Sequence, residues 1–467
     1  MLTYFPKFLT TRAIICYVMA LVLASTIFIK RVLPLEFIIF GAVSVFVFFK
    51  YSNQLTVKWA HYPGRLVPKR LFTVAFFIRF AYVIFIYFYY ISSTGVPHAY
   101  YAGDELIYQE VAQVWCSEGY EAFKDYMDRF IDFSDSGYCV WLALLYLPFG
   151  PHVLIGRIVK CFIDAFVCVL LYNLGKRNFG ESAGLIAAIF YMLMPNAWFY
   201  CGVTLKEIEM AFLVVLFVER GDLALRSPKM KIQDFLLPLA CVVIMLAFRT
   251  AMAAVMAAAM VAALIFTTSK QLQMWKKILF TSLFGVWMVA TVGVELIEET
   301  MSMVEASEEN RSVGYEYRSV QENGNDFARY ATASVFAPLI FTIPFSTLIE
   351  VRGQENQMMM NGANFIKNIL SGLTILALFL LLIRGDWRKH VLPLATMGGY
   401  LVVLVFSNFA HSERFHFPSL ALELMFAAYG VTQLTNKHKR WSVIWLIGIC
   451  LANVLWAWIK LKGRGMA

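Results

Sequence analysis

Apolar runs of about 16 to 22 residues recur from end to end of this 467-residue chain, each near the ~20 residues a helix needs to cross the hydrocarbon of a bilayer. The composition excludes a water-soluble fold. Hydrophobic residues make up 60% and charged residues 15%, where a soluble domain carries roughly 25% charged. The runs hold too few alternating polar residues to be barrel strands. An all-α polytopic membrane protein follows, with about thirteen spans by window length. They are Ala13–Ile29, Leu33–Phe49, Leu71–Ile91, Val153–Leu174, Ala183–Tyr200, Ile208–Val218, Phe235–Phe248, Met252–Phe266, Ile278–Leu296, Phe365–Ile383, Val391–Phe409, Leu420–Thr432 and Trp441–Ile459. The first follows Lys7 and Arg12 but precedes Lys30-Arg31 rather than a small-residue cleavage site, so it reads as a retained span.

Charge sets the orientation, because Lys and Arg mark cytoplasmic loops. Lys50, Lys58, Arg65, Lys69 and Arg70 lie between Leu33 and Leu71 with no acid after the span, and place that segment inside. The loop Ser92–His152 is then outside. Its Asp104, Glu105, Glu110, Glu118, Glu121, Asp125, Asp128, Asp132 and Asp135 face only Lys124 and Arg129. Lys176-Arg177, Lys229, Lys276 and Lys439 fall inside on the same count. Lys30-Arg31 and the terminal Lys460, Lys462 and Arg464 fall outside, against the rule. Glu105 to Phe130 has helical apolar spacing with an acidic opposite face, which predicts one or two amphipathic helices on the membrane. Tyr138–Phe149 and Ser334–Ile349 are too short or too Pro-broken to span, and read as re-entrant or surface helices on the outer face. Three regions result: 1–70, two spans and a basic cytoplasmic loop; 71–266, a module with the acidic loop 92–152; and 267–467, a second module with outer loops 297–364 and 410–418. The eight cysteines lack metal-ligand spacing, and Cys116 and Cys139 share an outer loop where a disulfide is conceivable. No basic stripe with interleaved aromatics points to nucleic acid.

Four polar groups ask for a reason. Asp104 and Glu105 are adjacent carboxylates at the membrane boundary, where a like charge and lipid raise a carboxyl pKa and suit it to act as a general base. Capping of the helix that starts there is the plainer reading. Lys206 and Glu207 follow Pro195 and open the next span; they suit a phosphate and an acceptor or cation, or simple snorkelling and capping. Arg249 sits at a tight outer turn, which the charge bias disfavours, and suits an anion. His411, Glu413, Arg414 and His416 form an outer loop in which Arg suits bidentate phosphate recognition; two His without a third ligand are a weak metal signal. Within spans, Lys160 and Asp164 are spaced to pair at i,i+4. Arg79 lines the interior, and Arg157, near the outer end of its span, is a candidate for lipid phosphate.

Together these residues resemble the GT-C class of glycosyltransferases, which includes protein O-mannosyltransferases and the transferases that add aminoarabinose to lipid A. Tyr101-Ala102-Gly103-Asp104-Glu105-Leu106-Ile107-Tyr108 looks like the acidic motif of the first large outer loop. Gly156-Arg157-Ile158-Val159 through Asn178-Phe179-Gly180 resembles the following span and its basic inner turn. Met194-Pro195-Asn196 through Leu205-Lys206-Glu207 resembles the Pro-containing span and second acidic loop, and Ser412-Glu413-Arg414-Phe415-His416-Phe417-Pro418 the late Arg-aromatic-Pro loop. Two spans, rather than one, precede the span that feeds the acidic loop, and Lys-Glu stands where an Asp is common. The resemblance implies inverting transfer of a sugar from a polyprenyl- or dolichyl-phosphate donor to a hydroxyl of a glycan, lipid or protein acceptor. It implies a cell-envelope enzyme, in a bacterial inner membrane with an outward site. It implies Asp104 as base with Glu105 beside it, Glu207 as second acid and Arg414 as phosphate ligand; Arg249, Lys206, His411 and Arg157 are further phosphate candidates. A divalent cation is compatible with these residues but not required. No Gly-rich nucleotide loop occurs, which suits a lipid donor.

Two other functions fit parts of the sequence. A polysaccharide polymerase or ligase acting on a lipid diphosphate would use Arg311, Arg318 and Arg329 of Glu298–Asp326 and its flank, and would not need Asp104. A transporter or flippase would show symmetric broken helices near the midplane, for which Pro195 is the main sign.

Overall fold

Backbone groups in hydrocarbon must be paired within the protein, which leaves helices as the means for an apolar chain like this one to cross. The computed structural model describes residues 2–227, 232–266, 338–406, 410–435 and 438–462. Among them the chain is helical, with one isolated bridge, Val32 to Ile349, and no strand. In order, α1 (Lys7–Ile27), α2 (Leu35–Trp59) and α3 (Val67–Thr94) are long and apolar. The acidic loop holds α4 (Gly103–Glu118), α5 (Tyr120–Phe130) and α6 (Phe133–Phe149). Then come α7 (Val153–Phe179), α8 (Glu181–Leu193), α9 (Pro195–Cys201), α10 (Glu207–Arg226), α11 (Ile232–Leu246) and α12 (Thr250–Phe266). The C-terminal half has α13 (Glu355–Met359), α14 (Asn361–Ile383), α15 (Val391–Phe406), α16 (Glu413–Thr432) and α17 (His438–Lys462).

Six helices are long and apolar enough to cross a membrane: Lys7–Ile27, Leu35–Trp59, Val67–Thr94, Asn361–Ile383, Asp386–Phe406 and His438–Lys462. They make this a multi-pass membrane protein. The bent pair α8–α9 makes a seventh if it counts as one span. The expected count of about thirteen is not reached among the described residues, and Ile278–Leu296 lies outside them. The difference has a physical cause. Helices α7, α10 and α16 are long, but they carry buried charge: Arg157, Lys160 and Asp164; Glu207, Glu209 and Glu219; Glu413 and Glu423. They can do so because neighbours shield them from lipid. Every residue of α8 from Ala183 to Leu193 is buried. It packs on α7 and α16, with α10 against α7 and α14 against α16. Around this centre, α1, α2, α3 and α17 turn Ile15, Phe46, Phe77 and Leu451 outward, the pattern of lipid-facing helices.

Pro195 lacks the N–H that would continue α8, so the expected single span Ala183–Tyr200 is instead bent by 50° between α8 and α9. The carbonyls freed at the break are taken by Arg79 from α3. Its Nη1 donates to Met192 O at 3.1 Å and its Nη2 to Tyr191 O at 3.3 Å. Its Nε donates to Asp164, which also accepts from the Tyr191 hydroxyl at 2.6 Å. Asp164 is therefore the partner of Arg79, and the expected Lys160–Asp164 pair does not form. Lys160 instead donates to the carbonyls of Val203, at 2.9 Å, and Leu205.

The amphipathic stretch forms two helices, α4 and α5, separated at Gly119, whose φ of +90° suits glycine. The stretch expected as a short outer helix from Tyr138 begins earlier, at Phe133, and forms α6. Of Ser334–Ile349, residues 334–337 lie outside the described set. The remainder is a short 3-10 turn followed by irregular, mostly buried chain rather than a helix. Pro344 lies in the irregular part, and Asn368 Nδ2 donates to Pro344 O at 2.9 Å to satisfy the backbone there.

The two ends of the bundle differ in charge. At one end Arg177 pairs with Glu219 at 2.9 Å and Asp222 at 2.7 Å, Arg226 reaches Lys389 O at 2.9 Å, and Gly64 of the basic loop packs beside Glu181 and Lys176. The acidic loop lies at the other end. Arg31 O accepts from Glu350 N at 3.0 Å there, and Lys460 donates to Thr347 at 2.6 Å and to Gln354 and Gln357 at 2.9 Å. Of the basic residues that break the charge rule, Lys460 is thus held by side-chain partners at the acidic end, and Arg464 lies outside the described residues.

Candidate active site

Three buried cations fasten the loops at the acidic end. Arg157, on α7, donates from Nη2 to Pro97 O at 2.6 Å and to Glu105 Oε2 at 3.2 Å. Lys160, one turn later, holds the chain at Val203 and Leu205. Lys206 donates to Ser134 O at 2.9 Å, to Phe248 O and to the Asp135 carboxylate. Gly137 lets this last junction close. A Cβ there would meet Ala247 O at 2.9 Å, and Gly137 N donates to that same carbonyl at 2.8 Å.

Adjacent residues at the start of a helix point about 100° apart, and that separates the two carboxylates of the acidic motif. Glu105 turns inward and is 1% exposed. It accepts from Thr204 N at 2.7 Å and Ala99 N at 3.3 Å, with His98 Nδ1 3.6 Å away. Burial pushes its pKa up, but His98, the Arg157 guanidinium and the Thr204 N–H together hold it below the ordinary carboxylate value. The raised pKa expected from a like charge alongside is therefore reversed at Glu105. Opposite charge and donated hydrogen bonds outweigh both the neighbour and the desolvation. Asp135 behaves alike: burial raises it, while Lys206 and the Tyr108 hydroxyl at 2.8 Å hold it low. Burial and nearby Arg249 push Lys206 down in turn.

Asp104 turns outward, with its side chain 54% exposed. Arg414, in the first turn of α16, donates from Nη1 to Asp104 Oδ2 and from Nε to Glu207 Oε1. Two carboxylates, each more than 200 positions from Arg414 in sequence, thus meet on its guanidinium. Glu207 Oε2 is buried and has no hydrogen-bond partner. Arg249 lies over the Phe415 ring, 4.4 Å from its centroid, beside the same first turn. His411 sits in the turn just before α16, partly buried. His416 turns away: its Nε2 is 2.7 Å from Ala410 O and its Nδ1 2.8 Å from Lys367 Nζ.

A cavity of about 260 Å³ opens on this cluster, lined by Tyr100 to Glu105, Phe199, Tyr200, Asn356, Met360, Glu413 and Arg414, among others. A larger groove of about 680 Å³ between α1, α14 and α17 is lined by residues such as Leu373, Ile444 and Trp445, with no carboxylate or arginine. The clustered carboxylates and arginine are at the smaller one. Asp104, Glu207 and Arg414 therefore come together, with Arg249 close by. Arg157 and Lys206 are committed to protein partners.

Several contributors carried no distinguishing sequence signal. Asp135 is one of nine acids in its loop, Thr204 contributes only its backbone, and Asn356 is remote in sequence. Among the described residues no group of three His, Cys, Asp or Glu side chains is placed to hold a metal ion. All eight cysteines are free, so Cys116 and Cys139 are not bonded: the first is exposed on α4 and the second buried in α6. The arginines Arg311, Arg318 and Arg329 lie outside the described residues.

Neither protein-family models nor curated proteins give a match to the chain. Among solved structures it is similar to the crystal structure of the Archaeoglobus fulgidus oligosaccharyltransferase in complex with zinc and sulfate, at 12% identity and a TM-score of 0.44. The similarity covers 85% of this chain and 53% of that one, so the chain spans about half the length of that neighbour. A likeness at that level identifies neither a family nor an activity.

Proposed function

We propose that the chain is an inverting membrane glycosyltransferase that moves a sugar from a polyprenyl- or dolichyl-phosphate donor to a hydroxyl acceptor. The observation that carries this reading is the meeting of Asp104 and Glu207 on Arg414, at the mouth of a cavity at the acidic end of a membrane bundle. The same residues carry the motif resemblance to GT-C transferases.

The chemistry needs four things: a proton acceptor open to solvent, a cation for the leaving phosphate, a place for the acceptor and a nearby lipid phase. Asp104 is the exposed carboxylate and takes the acceptor's hydroxyl proton. The acceptor oxygen attacks the anomeric carbon as the bond from that carbon to the phosphate oxygen breaks, and the configuration inverts. Arg414, with Arg249 and His411 beside it, meets the charge that develops on the departing lipid phosphate. Fixed cations in a water-poor site stabilise such charge well. Glu207, with one oxygen on Arg414 and the other unpartnered, orients the acceptor or a cation. Glu105 acts differently. Buried and ionised, it fixes the N-terminus of α4 so that Asp104 faces the cavity. The acceptor is a glycan, lipid or protein, and the setting a bacterial inner membrane with the site outward.

The transporter reading draws on one observation, the break between α8 and α9. There the freed carbonyls and Asp164 are all taken by Arg79, Tyr191 and Trp198, which leaves no open substrate site at the break. The test is chemical. Purified protein in liposomes holding a polyprenyl-phosphate sugar should release polyprenyl phosphate and form a glycoside of opposite anomeric configuration, read by NMR. A retained configuration, or movement of intact lipid across the bilayer, contradicts the proposal.

A further inference from the structure

Tyr101 is, among the described residues, the one non-glycine with a positive φ, +52°. Bulky residues avoid that region, and such conformations persist where surrounding structure fixes them, often at functional sites. Here the fixing is visible. Tyr101 O accepts from Gly103 N at 2.9 Å, Asn356 Nδ2 donates to Tyr100 O at 2.6 Å, and the Tyr100 and Tyr89 hydroxyls are 3.0 Å apart. The result is an aromatic side chain left 76% exposed on the rim of the cavity that holds Asp104 and Arg414. An apolar ring in water is an unfavourable placement for stability alone.

Asn356 adds a second feature. Its amide is oriented by the bond to Tyr100 O, and its Oδ1 is a buried acceptor with no partner, on the wall of the same cavity. An unpartnered buried acceptor calls for a donor that the protein does not supply. The cavity, about 260 Å³, is just below the roughly 300–1,000 Å³ common for small-molecule sites, a size for one ring rather than a chain of them.

We propose that Tyr101 and Asn356 form the subsite for a single pyranose ring. The apolar C–H face of the sugar stacks on Tyr101, and a ring hydroxyl donates to Asn356 Oδ1. This rests on the transfer reading and deepens it: it names the residues that select the sugar. The pair would be specificity-determining and would not take part in bond making.

The test uses the full chain in lipid nanodiscs and a panel of methyl pyranosides as probes, with saturation-transfer NMR as a binding readout and donor turnover as a second. Tyr101→Gly removes the ring while keeping the backbone conformation free of strain, so loss of folding does not confuse the result. Tyr101→Gly and Asn356→Leu should weaken glycoside binding tenfold or more and raise KM for the lipid-linked sugar, with a much smaller change in kcat. Tyr101→Trp should keep both, and Asn356→Leu should change which glycosides of the panel bind. Unchanged binding and KM in Tyr101→Gly, with wild-type transfer intact, overturns the subsite and leaves the transfer reading standing. A wild-type protein that binds no pyranoside and transfers no sugar overturns both.

Discussion

Asp104 and Glu105 are neighbours in sequence with opposite surroundings, and each should answer mutation differently. Glu105→Gln leaves the Arg157 guanidinium buried without its counter-charge. Breaking a buried pair in this way costs about 3–5 kcal/mol, so unfolding temperature in detergent should fall clearly, whereas Asp104→Asn, at an exposed side chain, should move it little. A pH series adds the sign. The Glu105 pKa is below its ordinary value of 4.5, so its contribution to stability is fully present above 4.5. It is lost as pH falls toward the folded-state value. Wild-type stability should therefore decline on acidification more steeply than that of Glu105→Gln; parallel curves would contradict the assignment. Sequence alone brought out Asp104, Glu207 and Arg414, because charge at a membrane boundary needs a reason. It did not separate Arg414 from Arg157 or Lys206, since a charge is legible in sequence and its partner is not. Arg157 and Lys206 have carboxylates from α4 and α6 as partners, and only the three-dimensional approach of Glu105 to α7 and of Asp135 to the start of α10 reveals it.

The break between α8 and α9 is the element that most shapes the site, because it leads the chain through Val203 and Thr204 to Lys206 and Glu207. Arg79 supports it. Arg79→Met should destabilise the protein by about 3–5 kcal/mol, since Asp164 is then buried and unpaired. Adding Asp164→Leu should recover much of that loss in thermal unfolding, but not all, because the carbonyls of Tyr191 and Met192 lose the guanidinium and keep only the Met194 N–H and the Trp198 indole as donors. Full recovery would mean that the capping of α8 contributes nothing. Pro195 was legible in the sequence, yet an apolar run around a proline reads equally well as one span. The i,i+4 spacing of Lys160 and Asp164 predicted a pair within α7. It fails because α3 packs on α7 and brings a guanidinium with better geometry. Local spacing names a possible partner; tertiary packing decides between partners.

For the whole molecule, the interior helices α7, α10 and α16 carry buried charge and so escape a test of length and apolarity, and the apolar run around Pro195 reads as one segment where the chain is bent. The polarity of the ends was legible, since Lys176, Arg177 and the loop before α3 gather at the end opposite Asp104. Cys116 gives a direct check: it is exposed on α4 while the other seven cysteines are buried. A membrane-impermeant maleimide should label intact cells at this one position. Labelling only after permeabilisation would put the acidic end, and the site, on the cytoplasmic side. The central claim is that Asp104, held by Arg414 opposite Glu207, accepts the proton of a sugar acceptor. The measurement that tests it most directly is the turnover of a polyprenyl-phosphate sugar by wild type and by Asp104→Asn with matched unfolding temperatures. General-base assistance is worth about 10²–10⁴-fold, so the variant should be slower by that factor, while a variant turning over at the wild-type rate would contradict the account.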